Sequence, residues 1–293
     1  MKVEAECAAC IINRASAEAI EATTNPALRF RAMAELLRLL NKEFRPTAVP
    51  ADLGTKRDRL IKRITGNNDP YKRIKRLSNE KALKLLPYAK KLVEEGYTQQ
   101  DRFKKACLCA IVGNIMEFDI PGHKFTFNSL RKDFREAGRD LVIDDIDKIY
   151  ELAKKARTTL YLTDNAGEIV FDTLLVEQLK NMGVTVIVGV KGAPIINDAT
   201  LEDVEVSGMS KVADKLITTG TDAVGLVPKE FSAEFLNSYN SVDIVFAKGM
   251  GYAETLTEYK LKSPHALLFR TKCNPVANFF GVLREKNVAK LMP

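Results

Sequence analysis

The rhythm of hydrophobic and polar positions changes once along this chain, near residue 157. Before that point apolar residues recur at three- and four-residue spacing, the period of helices that bury one face. Cys7, Ala8, Ile11, Ile12, Ala15 and Ala19 form the first stripe, and Leu28, Met33, Leu36, Leu37 and Leu40 the second. Asn25-Pro26 reads as an N-cap followed by proline at the first helical position. Pro46 and Pro50 mark a connection, with a basic stretch from Gly54 to Arg63 behind it. A longer helical pattern runs from about Asn79 to Glu95 and stops at Gly96, and Thr98 with Asp101 forms a capping pair for the next helix.

After Arg157, short β-rich runs alternate with helical stretches. Thr158–Thr163, Thr185–Val190, Lys215–Thr219, Val242–Ala247 and Ala266–Arg270 predict strands, and the patterns near 168–182, 229–239 and 252–261 predict helices. Such alternation implies a mainly parallel sheet covered on both faces. The expected fold class is therefore α/β: a helical domain over residues 1–156, then a three-layer Rossmann-like α/β domain over residues 157–293.

Composition narrows the chemistry. No apolar run reaches the roughly 18–20 residues of a membrane helix, and Glu4 and Glu6 stand where a signal peptide would be apolar. Five cysteines cannot all pair within one chain, which fits a reducing, cytoplasmic setting. Only two histidines, His123 and His265, are present, so a three-histidine zinc site cannot be built. GxSxG, P-loop and GxGxxG sequences are all missing. Catalysis must then rest on carboxylates, amides, lysines, cysteines or a bound metal. The net charge of +7 is read as solvated faces plus a small anionic substrate rather than a nucleic-acid surface.

In an open α/β sheet, ligands gather beyond the carboxyl ends of the strands. Asp164 and Asn165 follow the first predicted strand, and Lys191 to Asp198 follow the second. The fourth is followed by Lys248, Gly249 and Gly251, and the fifth by Lys272, Cys273 and Asn274. Asp164, Asn165 and Asp198 offer hard oxygen ligands that suit a divalent ion such as Mg²⁺ or Mn²⁺, with Co²⁺ and Ni²⁺ also admissible. Lys248 and Lys272 are placed to neutralise phosphate oxygens, and the Gly249/Gly251 loop lets backbone N–H groups approach an anion. The chemistry suggested is phosphate-ester cleavage. Asp-Asn-x-Gly is also ordinary turn chemistry, with Asp164 as a helix cap.

Cys7 and Cys10 lie one helical turn apart and could pack, bind a second metal or form a redox pair, with Cys273 as a further member. Cys107 and Cys109 point about 200° apart on a helix and cannot both face one ion.

Taken together, Cys7-x-x-Cys10, Gly113-Asn114 with an acid three residues on, Asp164-Asn165-Ala166-Gly167-Glu168, Lys191-Gly192 through Asn197-Asp198, Lys248-Gly249 and Lys272-Cys273 resemble the metal-dependent damage-control phosphatases, formerly the domain of unknown function 89 family. The Cys-x-x-Cys variety looks like its archaeal and plant branch. The resemblance covers nearly the whole chain. It implies a helical domain joined to a Rossmann-like domain, and a divalent metal held by Asp164, Asn165 and Asp198. It also implies that Asn114 reaches the site and that Lys248 contacts phosphate. The family often has Asp three residues after that asparagine; here it is Glu117, whose extra methylene displaces the carboxylate.

The expected activity is hydrolysis of small phosphometabolites, damaged or side-product sugar or cofactor phosphates among them. Metal-activated water is the expected attacking group, because Ala166 stands where an aspartyl-phosphatase DxD pattern would carry its second Asp. The rivals are an S-adenosylmethionine-dependent methyltransferase, which lacks its glycine-rich loop here, and an RNA-binding protein using Lys72, Arg73, Lys75 and Arg76. Nothing in the chain sets an oligomeric state.

Overall fold

The five β-rich runs become strands within a residue or two of their expected limits, and two further strands join them. The computed structural model describes residues 1–113 and 127–293. Its strands are β1 (Leu141–Asp144), β2 (Thr158–Leu162), β3 (Thr185–Val190), β4 (Lys215–Thr218), β5 (Ile244–Lys248), β6 (His265–Arg270) and β7 (Asn287–Met292). They form one sheet in the order β1-β7-β6-β5-β2-β3-β4. Every neighbouring pair is parallel except β6 with β7. The class is α/β with a mostly parallel sheet, as the alternating pattern implied.

Period-two geometry divides the strand residues between two cores. Tyr161, Val188, Phe246 and Leu268 face one layer of helices: α4 (Lys72–Glu94), α5 (Gln99–Val112), α6 (Phe127–Glu136), α7 (Ile146–Ala153), α8 (Glu168–Asn181), α9 (Leu201–Ser207) and α10 (Met209–Val212). Leu160, Leu162, Val245 and Leu267 face α11 (Ala233–Ser241), α12 (Met250–Leu256) and α13 (Asn274–Phe280) on the other side. Burial on both faces explains why β2 and β5 read as continuous apolar runs. Strand β2 pairs with β3 on one side and β5 on the other, so the strand order reverses there. That switch point is where a crevice opens at the strands' carboxyl ends.

The first three helices, α1 (Ala5–Ala22), α2 (Pro26–Glu43) and α3 (Pro50–Thr65), pack about a core of their own that includes Ile11, Ala15, Leu36, Leu60 and Ile61. Asn25 caps α2 as expected, accepting from the N–H groups of Ala27 at 2.9 Å and Leu28 at 3.4 Å. The basic stretch Gly54–Arg63 forms most of α3. Its cations answer acids across the fold: Arg59 reaches Asp222 at 2.6 Å and Glu230 at 2.5 Å, and Lys62 reaches Asp58 at 2.7 Å and Asp222 at 3.1 Å. Strand β1 also departs from the expected pattern, standing inside residues read as helical; at four residues it is too short to show a period. Among the described residues, no helix is long and apolar enough to cross a membrane.

Glu18 of α1 is wholly buried beside Arg57 of α3, whose Nε donates to it at 3.0 Å. Burial outweighs that attraction and pushes the carboxyl from 4.5 up to about 8. The native state therefore keeps a proton that the unfolded chain releases across that window, so stability falls as pH rises from about 4.5 to about 8. Urea midpoints measured against pH should fall less steeply over this range in Glu18→Gln than in wild type. Equal slopes would show that Glu18 titrates alike in both states.

Candidate active site

The turn from β2 into α8 is held open by its neighbours. Gly167 has φ +79°, and a Cβ there would lie 2.9 Å from the Cβ of Ser78 on α4. Its N–H donates to the Asn79 side chain at 2.6 Å. Two backbone bonds then tie the turn to the loop after β3: Ala166 N–H to Asn197 O at 2.9 Å, and Ala199 N–H to Asp164 O at 2.8 Å. They form an isolated antiparallel bridge between Asn165 and Asp198. The loop carrying Asp198 is steadied by α3, because Asp58 accepts the Ile196 N–H at 3.0 Å and Lys62 donates to Pro194 O at 2.6 Å. Ile196 itself has φ +46°, a conformation that these contacts sustain.

A third loop closes in after β5. Gly249 has φ +86°, and a Cβ there would lie 1.9 Å from Asp164 Oδ2. The space that this glycine leaves is filled by the carboxylate. Asn165 donates from Nδ2 to Asp164 Oδ2 at 2.8 Å and to Glu168 Oε2 at 3.2 Å. Lys191 stands behind Asp198, its Nζ 3.6 Å from Oδ2, bonded to Ala223 O at 2.8 Å and 5.1 Å from the Tyr252 ring centre. Burial pushes the Asp198 carboxyl up to about 6 against the pull of Lys191, and burial lowers the lysine.

Asp164, Asn165 and Asp198 border a cavity of about 260 Å³. The same cavity is lined by Cys7, Cys10 and Arg14 of α1, Arg57 of α3 and Glu254 of α12, together with Lys272 and Cys273. Glu254 accepts the Ala51 N–H at the start of α3, and burial raises its carboxyl to about 7 despite the nearby Arg14. Two carboxylates and an amide sharing one buried corner form an all-oxygen donor set, which fits a hard divalent cation.

Most of the expected site residues meet here. Asp164, Asn165, Asp198, Lys272, Cys7, Cys10 and Cys273 line the one cavity, and Gly249 abuts Asp164. Lys248 does not reach it. The side chain is fully buried on the α5 and α8 side of the sheet, bonded to Glu168, Asp172 and the Ala110 carbonyl. Asn114 and Glu117 lie outside the described residues. All five cysteines are free thiols, and burial raises Cys7 and also Cys273, the latter to about 11. Among the described residues, no group of three or more His, Cys, Asp or Glu side chains could hold a metal, so the cysteine cluster lacks a complete ligand set.

Arg14, Arg57 and Glu254 were assigned no role from the sequence. Arg14 continues the Cys7–Cys10 face one turn further along α1, so helical phase alone would have found it.

Comparison with known proteins points one way. The family model of the damage-control phosphatase ARMT1-like domain matches residues 3–288. A damage-control phosphatase of Archaeoglobus fulgidus is 37% identical over 294 residues, covering 100% of both chains. One from Pyrococcus horikoshii is 36% identical over 279 residues, covering 94% of this chain and 93% of its own. The crystal structure of a DUF89 family protein from Pyrococcus horikoshii superimposes with a TM-score of 0.88 at 34% identity, covering 99% of this chain and 98% of that one.

Gly249→Ala should be costly, since its backbone conformation is essentially confined to glycine and its Cβ would displace Asp164. We expect a loss of about 1–3 kcal/mol in urea unfolding, together with a shifted Asp164 carboxylate in a crystal structure of the variant. Wild-type stability would refute the close approach.

Proposed function

The chain belongs to the damage-control phosphatase ARMT1-like family, and on that premise we propose that it hydrolyses small phosphorylated metabolites with a divalent ion held by Asp164, Asn165 and Asp198. The observation that carries the reading is the convergence of those three side chains on one cavity at the sheet's switch point. Mn²⁺, Mg²⁺, Co²⁺ and Ni²⁺ all accept such oxygen donors. When bound, the ion polarises the phosphorus–oxygen bond and acidifies water.

The chain's own residues supply the rest. Asp164 and Asp198 border the same cavity, where a cation would offset their negative charge. Lys272 brings positive charge to the same cavity, which favours a phosphoryl group as its charge grows. Glu254, whose carboxyl burial raises to about 7, can take or release a proton within the same cavity. A cavity of about 260 Å³ suits a small metabolite rather than a polymer. Free thiols throughout fit a reducing cytoplasm.

The nucleic-acid rival loses one of its four cations, and two others face acids. Lys75 is buried, 3.2 Å from Asp203 and bonded to Thr200, while Lys72 and Arg73 pair with Glu202 at 3.5 Å and Glu21 at 3.2 Å.

The test is p-nitrophenyl phosphate hydrolysis by metal-stripped protein with divalent ions restored singly. Wild type should regain activity with at least one of Mn²⁺, Mg²⁺, Co²⁺ and Ni²⁺. Asp164→Ala should regain less than about one-hundredth of it, losing an ion ligand worth several kcal/mol of charge stabilisation. Equal recovery in both proteins would reject the site.

A further inference from the structure

We infer that Lys248 is a positioning residue: it holds Glu168, and Glu168 turns the side-chain amide of Asn165 so that its oxygen, not its nitrogen, is offered to a cation. The inference rests on the reading of Asn165 as an ion ligand. An asparagine amide is nearly symmetric in shape, but one end donates two hydrogen bonds and the other only accepts. Only the oxygen end can bind a hard cation. Something must choose between the two orientations.

The choice is made by acceptors. The Asn165 nitrogen donates to Asp164 Oδ2 at 2.8 Å and to Glu168 Oε2 at 3.2 Å. Turning the amide over would aim its oxygen at both carboxylates, acceptor against acceptor. Asp164 cannot settle the matter alone, since as an ion ligand its charge is shared with the cation. Glu168 is the second acceptor, and its other oxygen is tied down.

Lys248 does the tying. Its Nζ lies 2.5 Å from Glu168 Oε1, 2.7 Å from Asp172 Oδ1 and 2.9 Å from the Ala110 carbonyl. An ammonium has three protons, and these are three acceptors. No donor is left over for a substrate phosphate. Both Lys248 and Glu168 are at most 1% exposed, where a lone charge is strongly disfavoured, so the pair holds together and each fixes the other's position. Tyr161 donates to Asp172 Oδ1 at 2.7 Å and fixes the far end of the group.

Isothermal titration of the metal-stripped protein with Mn²⁺ tests this without relying on turnover. In Glu168→Gln, Lys248 holds the new carbonyl oxygen, leaving the new NH₂ to face Asn165. The Asn165 amide should then turn over, and Mn²⁺ affinity should drop about 10–100-fold, the usual effect of losing a group that orients a ligand. Adding Asn165→Asp to that variant, which makes the ligand a symmetric acceptor, should restore most of the loss. Asn165→Asp alone should not tighten binding comparably, because it sets a carboxylate against Glu168. Lys248→Met should weaken Mn²⁺ binding in wild type but weaken it no further in Glu168→Gln.

Unchanged Mn²⁺ affinity in Glu168→Gln overturns the proposal. So does a Lys248→Met protein that binds Mn²⁺ normally but has lost inhibition by inorganic phosphate, which would mark Lys248 as a phosphate contact. If Lys248→Met does not fold, the Glu168 and Asn165 variants still decide the question. Failure of wild type itself to bind Mn²⁺ would instead count against the ion site.

Discussion

Loops that leave neighbouring strands usually diverge, yet here the loops after β2 and β3 are sewn together. Ala166 N–H to Asn197 O and Ala199 N–H to Asp164 O are backbone bonds, insensitive to what the side chains would prefer. Their effect is to bring Asp164, Asn165 and Asp198 to the border of one cavity. The backbone thus fixes which side chains share that cavity. Gly249 and Gly167 serve the same end by letting β5 and α4 come within contact of the turn without a Cβ between them.

The helical unit α1–α3 is tied to this arrangement rather than merely laid over it. Asp58 and Lys62 of α3 anchor the loop that bears Asp198, while Arg57 from the same helix borders the cavity. One turn of α3 therefore steadies the chemistry, and its other face shapes the space beside it. A shift of α3 against the sheet would alter both at once, so the placement of Asp198 and the shape of the cavity are mechanically linked.

The sequence disclosed the sheet, the strand ends and the Asp164–Asn165–Asp198 set because each rests on local pattern: apolar runs, turn residues and the rule that ligands sit at carboxyl ends. What it concealed depends on partners far away in the chain. Strand β7 is bounded by no clear turn signal and half of its residues are only partly buried, so it resembles tail rather than core. Helix α3 showed only as a basic stretch because the acids that answer Arg59 and Lys62, Asp222 and Glu230, lie more than 150 residues away. Arg14, Arg57 and Glu254 join the site only when α1, α3 and α12 are seen packed together.

Lysines show most clearly where such reading ends. Lys248 follows a strand at the ligand-binding edge, beside a glycine loop, and every local cue marks it as an anion contact. Its side chain instead turns back beneath the sheet to Glu168 and Asp172, two acids on successive turns of α8. Those acids could be buried on a central helix only with a cation supplied from elsewhere. Lys75 repeats the lesson against Asp203, and Lys191 against Asp198. A surplus of +7 does not reveal which cations face solvent or ligand. That follows from asking, for each buried acid, which cation answers it, and at this site the answer reassigns Lys248 from the substrate to the scaffold.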